Sequence, residues 1–105
     1  MITHIVMWKF KEFPTQNEKQ QAIQRFEDGL KSLLPIIPQI RHMEFHYNAV
    51  DNGKNSDAVL LLHFENREDL QTYLTHPEHQ KVSAYCKSIR VSRSSVDYEQ
   101  DSLVK

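Results

Sequence analysis

Apolar and polar positions alternate along the chain in a way that divides it into a few elements. Residues Ile2 to Phe10 (ITHIVMWKF) are rich in β-branched and aromatic side chains and predict a strand. One face of it carries Ile2, His4, Val6, Trp8 and Phe10, the other Thr3, Ile5, Met7 and Lys9, so both are largely apolar through the middle. Such a strand calls for cover on both sides. Phe13-Pro14 breaks it, and Thr15-Gln16-Asn17-Glu18 has the form of a capping box, in which a hydroxyl and a carboxylate satisfy the free amides at a helix start. Ala22, Ile23, Phe26, Leu30, Leu33 and Leu34 then follow the 3.6-residue period, with Lys19, Gln20, Gln24, Glu27, Asp28 and Lys31 around the rest of the wheel. Pro35 and Pro38 end this amphipathic helix.

From about Gln39 to Asn48 the pattern returns to period two, with Met43, Phe45 and Tyr47 on one side and His42, Glu44, His46 and Asn48 on the other, as on an edge strand. Asp51-Asn52-Gly53-Lys54-Asn55-Ser56 is a turn cluster. Ala58 to Phe64 (AVLLLHF) predicts a third strand, apolar on both faces apart from His63 and therefore central. A helix begins after Asn66, a plausible cap, and carries Leu70, Tyr73 and Leu74 on one side. His76-Pro77 interrupts it, and Pro77 suits the first position of a new helix along which His79, Val82, Ser83 and Cys86 line one side. Ser88 to Tyr98 alternates weakly and predicts a fourth strand, longer than its partners need, and the tail from Glu99 to Lys105 is expected to fray or to dock on a neighbour.

The order β-α-β-β-α-β predicts an α+β, ferredoxin-like domain, a four-stranded antiparallel sheet with helical segments on a single face. That leaves the first and third strands with apolar side chains on a face no helix covers. A patch of that kind is unusual on a monomer, because each large apolar side chain gains about 1.5–3 kcal/mol from full burial. A second sheet from an identical subunit, packed face to face, is the economical cover. The expected partner is thus a second copy of the chain.

Composition narrows the classes further. With 105 residues a single domain over 1–105 is expected. Thirteen lysines and arginines are interspersed with fourteen acidic residues, which leaves no footprint for nucleic acid or anionic lipid. No apolar run reaches the roughly 20 residues of a membrane span. Cys86 is the single cysteine and the N-terminus reads as a strand, not a secretion signal, so a reducing, cytoplasmic location is expected. Gly29 and Gly53 are the only glycines, so no phosphate-cradling loop is available and no cofactor is implied.

Chemistry concentrates in Tyr73-Leu74-Thr75-His76-Pro77-Glu78-His79, which places a phenol, two imidazoles and a carboxylate around a proline. Each also has a structural explanation: Tyr73 as an amphipathic core residue, His76 and His79 as caps of a helix start. His42, Glu44 and His46 point the same way along a strand, a spacing compatible with a transition-metal site to which His63 adds a further ligand, and equally with solvated side chains on a rim. Cys86, on the inner side of a short helix, reads more simply as a small core residue than as a nucleophile.

Three stretches carry a resemblance: the opening His4-Ile5-Val6-Met7-Trp8-Lys9-Phe10, the link Leu34-Pro35-Ile36-Ile37-Pro38, and Tyr73 to His79 followed by Val82. In this order they resemble the stress-responsive dimeric α/β-barrel (Dabb) family almost over the whole chain. The resemblance implies a ferredoxin-like fold and a homodimer whose two sheets close into a barrel. It implies no settled activity, since most members lack one, and leaves a role in binding a small organic molecule or in stress response. A distant member, olivetolic acid cyclase, performs an aldol condensation without a cofactor. By that likeness its catalytic positions fall on His4, Tyr73 and His79, with His79 as base, Tyr73 as oxyanion donor, and His4 orienting the substrate or holding the phenol. The alternative function is accordingly a cofactor-independent enzyme of cyclase, isomerase or lyase type on a carbonyl compound. The discriminating feature is whether these three side chains converge on an open pocket or on space filled by Trp8 and Phe26.

Overall fold

The computed structural model describes residues 1–100, in the order β1 (Ile2–Phe10), α1 (Gln16–Lys31), β2 (His42–Tyr47), β3 (Ala58–Phe64), α2 (Arg67–Thr75), α3 (Pro77–Ile89) and β4 (Arg90–Glu99). The four strands form one antiparallel sheet in the order β2-β3-β1-β4, the ferredoxin-like arrangement with β1 and β3 in the centre. All three helices start at the residues that the pattern marks. Thr15 and Glu18 close the capping box of α1 reciprocally, Asn66 caps α2 through its side chain, and His76 caps α3 with Pro77 in the first turn. Gly53 takes φ = 74° in the β2–β3 connection, a left-handed turn position that favours a residue without Cβ.

The even positions of β1 (Ile2, Val6, Trp8, Phe10) and of β3 (Ala58, Leu60, Leu62, Phe64) are buried under the helices. Ile23, Phe26 and Leu30 from α1, Leu70 and Tyr73 from α2, and Cys86 and Ile89 from α3 complete that core. α3 is tied to α1 by the Tyr85 hydroxyl, which donates to the Ala22 carbonyl at 2.9 Å, and by Arg25 stacked 4.4 Å over the Tyr85 ring.

Several boundaries differ from the sequence reading. β2 begins at His42, not Gln39, because residues 32–40 coil through turns that bury Leu33, Ile37 and Ile40. Leu34 leaves the helical face and is 40% exposed. Ser88 and Ile89 belong to α3: Ile89 is buried in the core, and the Ser88 hydroxyl donates to the Tyr85 carbonyl. β4 is not too long for its partner. It pairs with β1 from Phe10↔Arg90 to Ile2↔Glu99, absorbing one irregularity at Lys9/Phe10, and Gln100 continues the pairing with Met1. The rest of the tail lies outside the described residues.

On the other face no helix among the described residues covers the sheet. The register aligns Glu44, Leu61, Ile5 and Val96 in one row and His46, Val59, Met7 and Ser94 in the next. Ile5, Val59 and Leu61 are half-buried there, Met7 is 42% exposed and Val96 52% exposed. No helix among the described residues is long and apolar enough to cross a membrane.

Candidate functional site

A cavity of about 280 Å³ lies between the helices and the sheet. Its floor is β1 and β3 (Val6, Trp8, Leu60), one wall is α1 (Phe26, Leu30), and the other wall is the α2–α3 junction. Trp8 and Phe26 meet edge to face at 4.9 Å between ring centres and line the space instead of filling it. His4, distant in the chain, and the neighbouring Tyr73 and His79 all border this cavity.

The strand period brings His4 to the helix side of β1, where it is 3% exposed. Directly opposite on β4 stands Asp97, whose carboxylate accepts a hydrogen bond from His4 Nδ1. An Nδ1–H so engaged fixes the ring orientation and leaves Nε2 directed away from the carboxylate. His4 and Tyr73 meet edge to face at 6.1 Å, and the two share no hydrogen bond. It is therefore Asp97 that His4 holds, not the phenol.

Tyr73 sits in the last turns of α2, packed on Phe64 at 5.3 Å and on His79 at 4.2 Å between ring centres. Its side chain is 1% exposed, yet its hydroxyl bonds to no described residue. Burial pushes its pKa far up and the Arg93 charge opposes this only in part, so the phenol stays protonated and serves as a donor.

His76 and His79 divide their duties. His76 Nδ1 accepts from the Glu78 amide at 3.1 Å, which makes it the cap of α3. His79 Nδ1 donates to the Leu74 carbonyl at 3.2 Å, an acceptor left over where α2 ends. With that proton placed, the lone pair of the neutral ring lies on Nε2. Burial lowers the His79 pKa from its ordinary 6.5; the bond to Leu74 opposes this, and the charges of His4, Arg93 and His76 add to it. The ring is neutral at pH 7. Cys86 forms part of the wall as a buried thiol whose pKa rises to about 11 through burial, so it stands as an inert thiol.

Asp97 was not legible in the sequence, and neither were Lys87, Arg90 and Arg93 at the cavity mouth. The one available signal was period two in β4, which places Arg93, Ser95 and Asp97 on a common face.

The second cluster is brought together differently. Glu44 accepts from His42 Nε2 at 2.7 Å and from His46 Nε2 at 3.0 Å, and His63 lies opposite His42 with ring centres 5.2 Å apart. Both imidazoles, acting first through these hydrogen bonds, lower the pKa of Glu44. Among the described residues no group of three or more His, Cys, Asp or Glu side chains is arranged to hold a metal ion.

Comparison with known proteins follows the same lines. Residues 2–100 match the family model of the stress responsive A/B barrel domain (Dabb). A dimeric protein of unknown function with a ferredoxin-like fold from Bacteroides fragilis superposes with a TM-score of 0.83 at 30% identity, over 94% of this chain and 95% of that one. A Dabb family protein from Mesorhizobium loti superposes with a TM-score of 0.75 at 19% identity, covering 94% and 95%. The hydroxynitrile lyase of Passiflora edulis has a TM-score of 0.82 at 13% identity, covering 99% and 96%, a likeness of fold. No curated protein matches the sequence.

Proposed function

The chain belongs to the stress responsive A/B barrel domain family, and from that premise and the geometry of the cavity we propose that it forms a homodimer and binds a small organic molecule beside His4, Tyr73 and His79. The observation that carries the reading is Tyr73. The residue is 1% exposed and borders the cavity, and its hydroxyl has no hydrogen-bond partner among the described residues; unlike the hydroxyl of Thr3, it is not wholly sealed from solvent. Here the hydroxyl is left for a guest, with the ring of His79 4.2 Å and that of the Asp97-held His4 6.1 Å from the phenol ring between centres. The apolar floor supplies the remaining affinity, as in most small-molecule sites.

Trp8, the only tryptophan, borders the cavity and reports occupancy directly. Screening small neutral aromatic and carbonyl compounds by Trp8 fluorescence is expected to find saturable binders. Ser83→Phe, which projects a ring into the cavity, abolishes their signal, and Tyr73→Phe weakens polar binders about tenfold. Binding that is indifferent to Ser83→Phe places the ligand elsewhere and defeats the reading.

A second reading is supported by the neutral His79. With Nδ1–H committed to Leu74, Nε2 is free to take a proton α to a carbonyl; the electron pair moves to the carbonyl oxygen, and the enolate accepts a hydrogen bond from Tyr73. Return of the proton restores both residues. Incubation of a simple ketone with the protein in D2O is expected to exchange α-hydrogens in a His79-dependent way by NMR. Exchange no faster than with His79→Ala leaves binding as the function.

A further inference from the structure

The cavity is electrically one-sided. Lys87, Arg90 and Arg93 stand at its border, and among the described residues no aspartate or glutamate lines it. None of these three forms an ion pair with a described residue, a state they share with Lys9, Lys11, Arg25 and Lys54, but of these only Lys87, Arg90 and Arg93 border the cavity. Among the described residues Arg93 makes one side-chain bond, donated to the Ser95 hydroxyl at 3.2 Å. The nearest acid on its strand face, Asp97, is engaged by His4.

The positive charge reaches inward. Arg93 bears on Tyr73, His79 and Cys86, and Arg90 on Cys86, all on the α2–α3 wall. Beneath the mouth lie the apolar floor of Val6, Trp8 and Leu60 and the Phe26 ring of the α1 wall. A volume of about 280 Å³ is roughly twice the ~150 Å³ that admits benzene, enough for one ring or a short branched chain with a polar substituent.

We propose that the ligand is a small monocarboxylate whose compact apolar body rests on Trp8 and Phe26 and whose carboxylate is held at the mouth by Arg90 and Arg93 with Lys87 beside them. This rests on the reading of the cavity as a ligand site. Guanidinium groups match the planar carboxylate fork in a way that neutral groups do not, and a partly enclosed mouth strengthens the attraction over its value in open water.

Benzoate and benzamide, nearly identical in shape and differing in charge, form the test pair, titrated against Trp8 fluorescence. Benzoate is expected to bind about tenfold or more tightly than benzamide, with the preference shrinking as salt is raised to about 1 M. The double variant Arg90→Gln/Arg93→Gln is expected to bind the two alike. Equal affinity of the wild-type protein for both probes overturns the proposal without recourse to any variant, and so does a benzoate preference that survives the double substitution. Neutral compounds that bind while benzoate does not overturn the carboxylate assignment alone. Silence of Trp8 to every compound overturns the ligand site together with it.

Discussion

His79 sets the pH response expected of the site. Burial holds its folded pKa below the ordinary 6.5, so as pH falls the unfolded chain takes up the proton before the folded one. Stability is therefore full above about pH 6.5 and declines as pH drops through that value toward the lower folded pKa. Glu44 and Glu78, whose pKa values lie below their ordinary 4.5, act in a separate, more acidic window. Urea unfolding between about pH 7.5 and 5 is expected to show this loss in the wild type and a flatter profile in His79→Gln. Identical slopes refute the assignment to His79. Of the residues around the cavity, Tyr73 and His79 were legible in the stretch of titratable side chains around Pro77, and His4 through the family resemblance. Asp97 was not, since its pairing with His4 spans 93 residues and depends on the β1–β4 register, for which the local sequence carries no signal.

At the level of elements, starts were easier to read than ends. A capping side chain acts within four residues, so Thr15-Glu18, Asn66 and His76-Pro77 declare themselves locally. The Thr15 hydroxyl accepts from the Glu18 amide at 3.1 Å and the Glu18 carboxylate accepts from the Thr15 amide at 3.2 Å. Thr15→Ala is expected to cost about 1 kcal/mol in chemical denaturation, and a loss under about 0.3 kcal/mol contradicts a working cap. Where α3 gives way to β4, by contrast, the change is set by what Ile89 packs against. The buried core keeps Ile89 helical, and pairing with Phe10 starts the strand at Arg90. Weak alternation in a serine-rich segment does not encode that competition.

At the scale of the molecule, the two-sided apolar character of β1 and β3 announced both layers of the fold. The helices cover one face, and Ile5, Met7, Val59, Leu61 and Val96 form a strip on the other. If two copies pair through this strip, a charge in its middle has no partner and loses its water on association. Met7→Asp is expected to convert a dimer to a monomer in light scattering at micromolar concentration, with little change in the core under the helices. A wild type that is already monomeric there contradicts the pairing, and a dimer that tolerates Met7→Asp places its interface elsewhere.

A ligand in the cavity beneath α3 is the central expectation for the molecule. Crystals of the protein soaked with a library of small carbonyl and carboxylate compounds test this most directly. The expected result is a bound compound over Trp8 within hydrogen-bond reach of the Tyr73 hydroxyl or His79 Nε2. Compounds seated on other surfaces, with this cavity closed by side-chain movement or left to water throughout the series, contradict it.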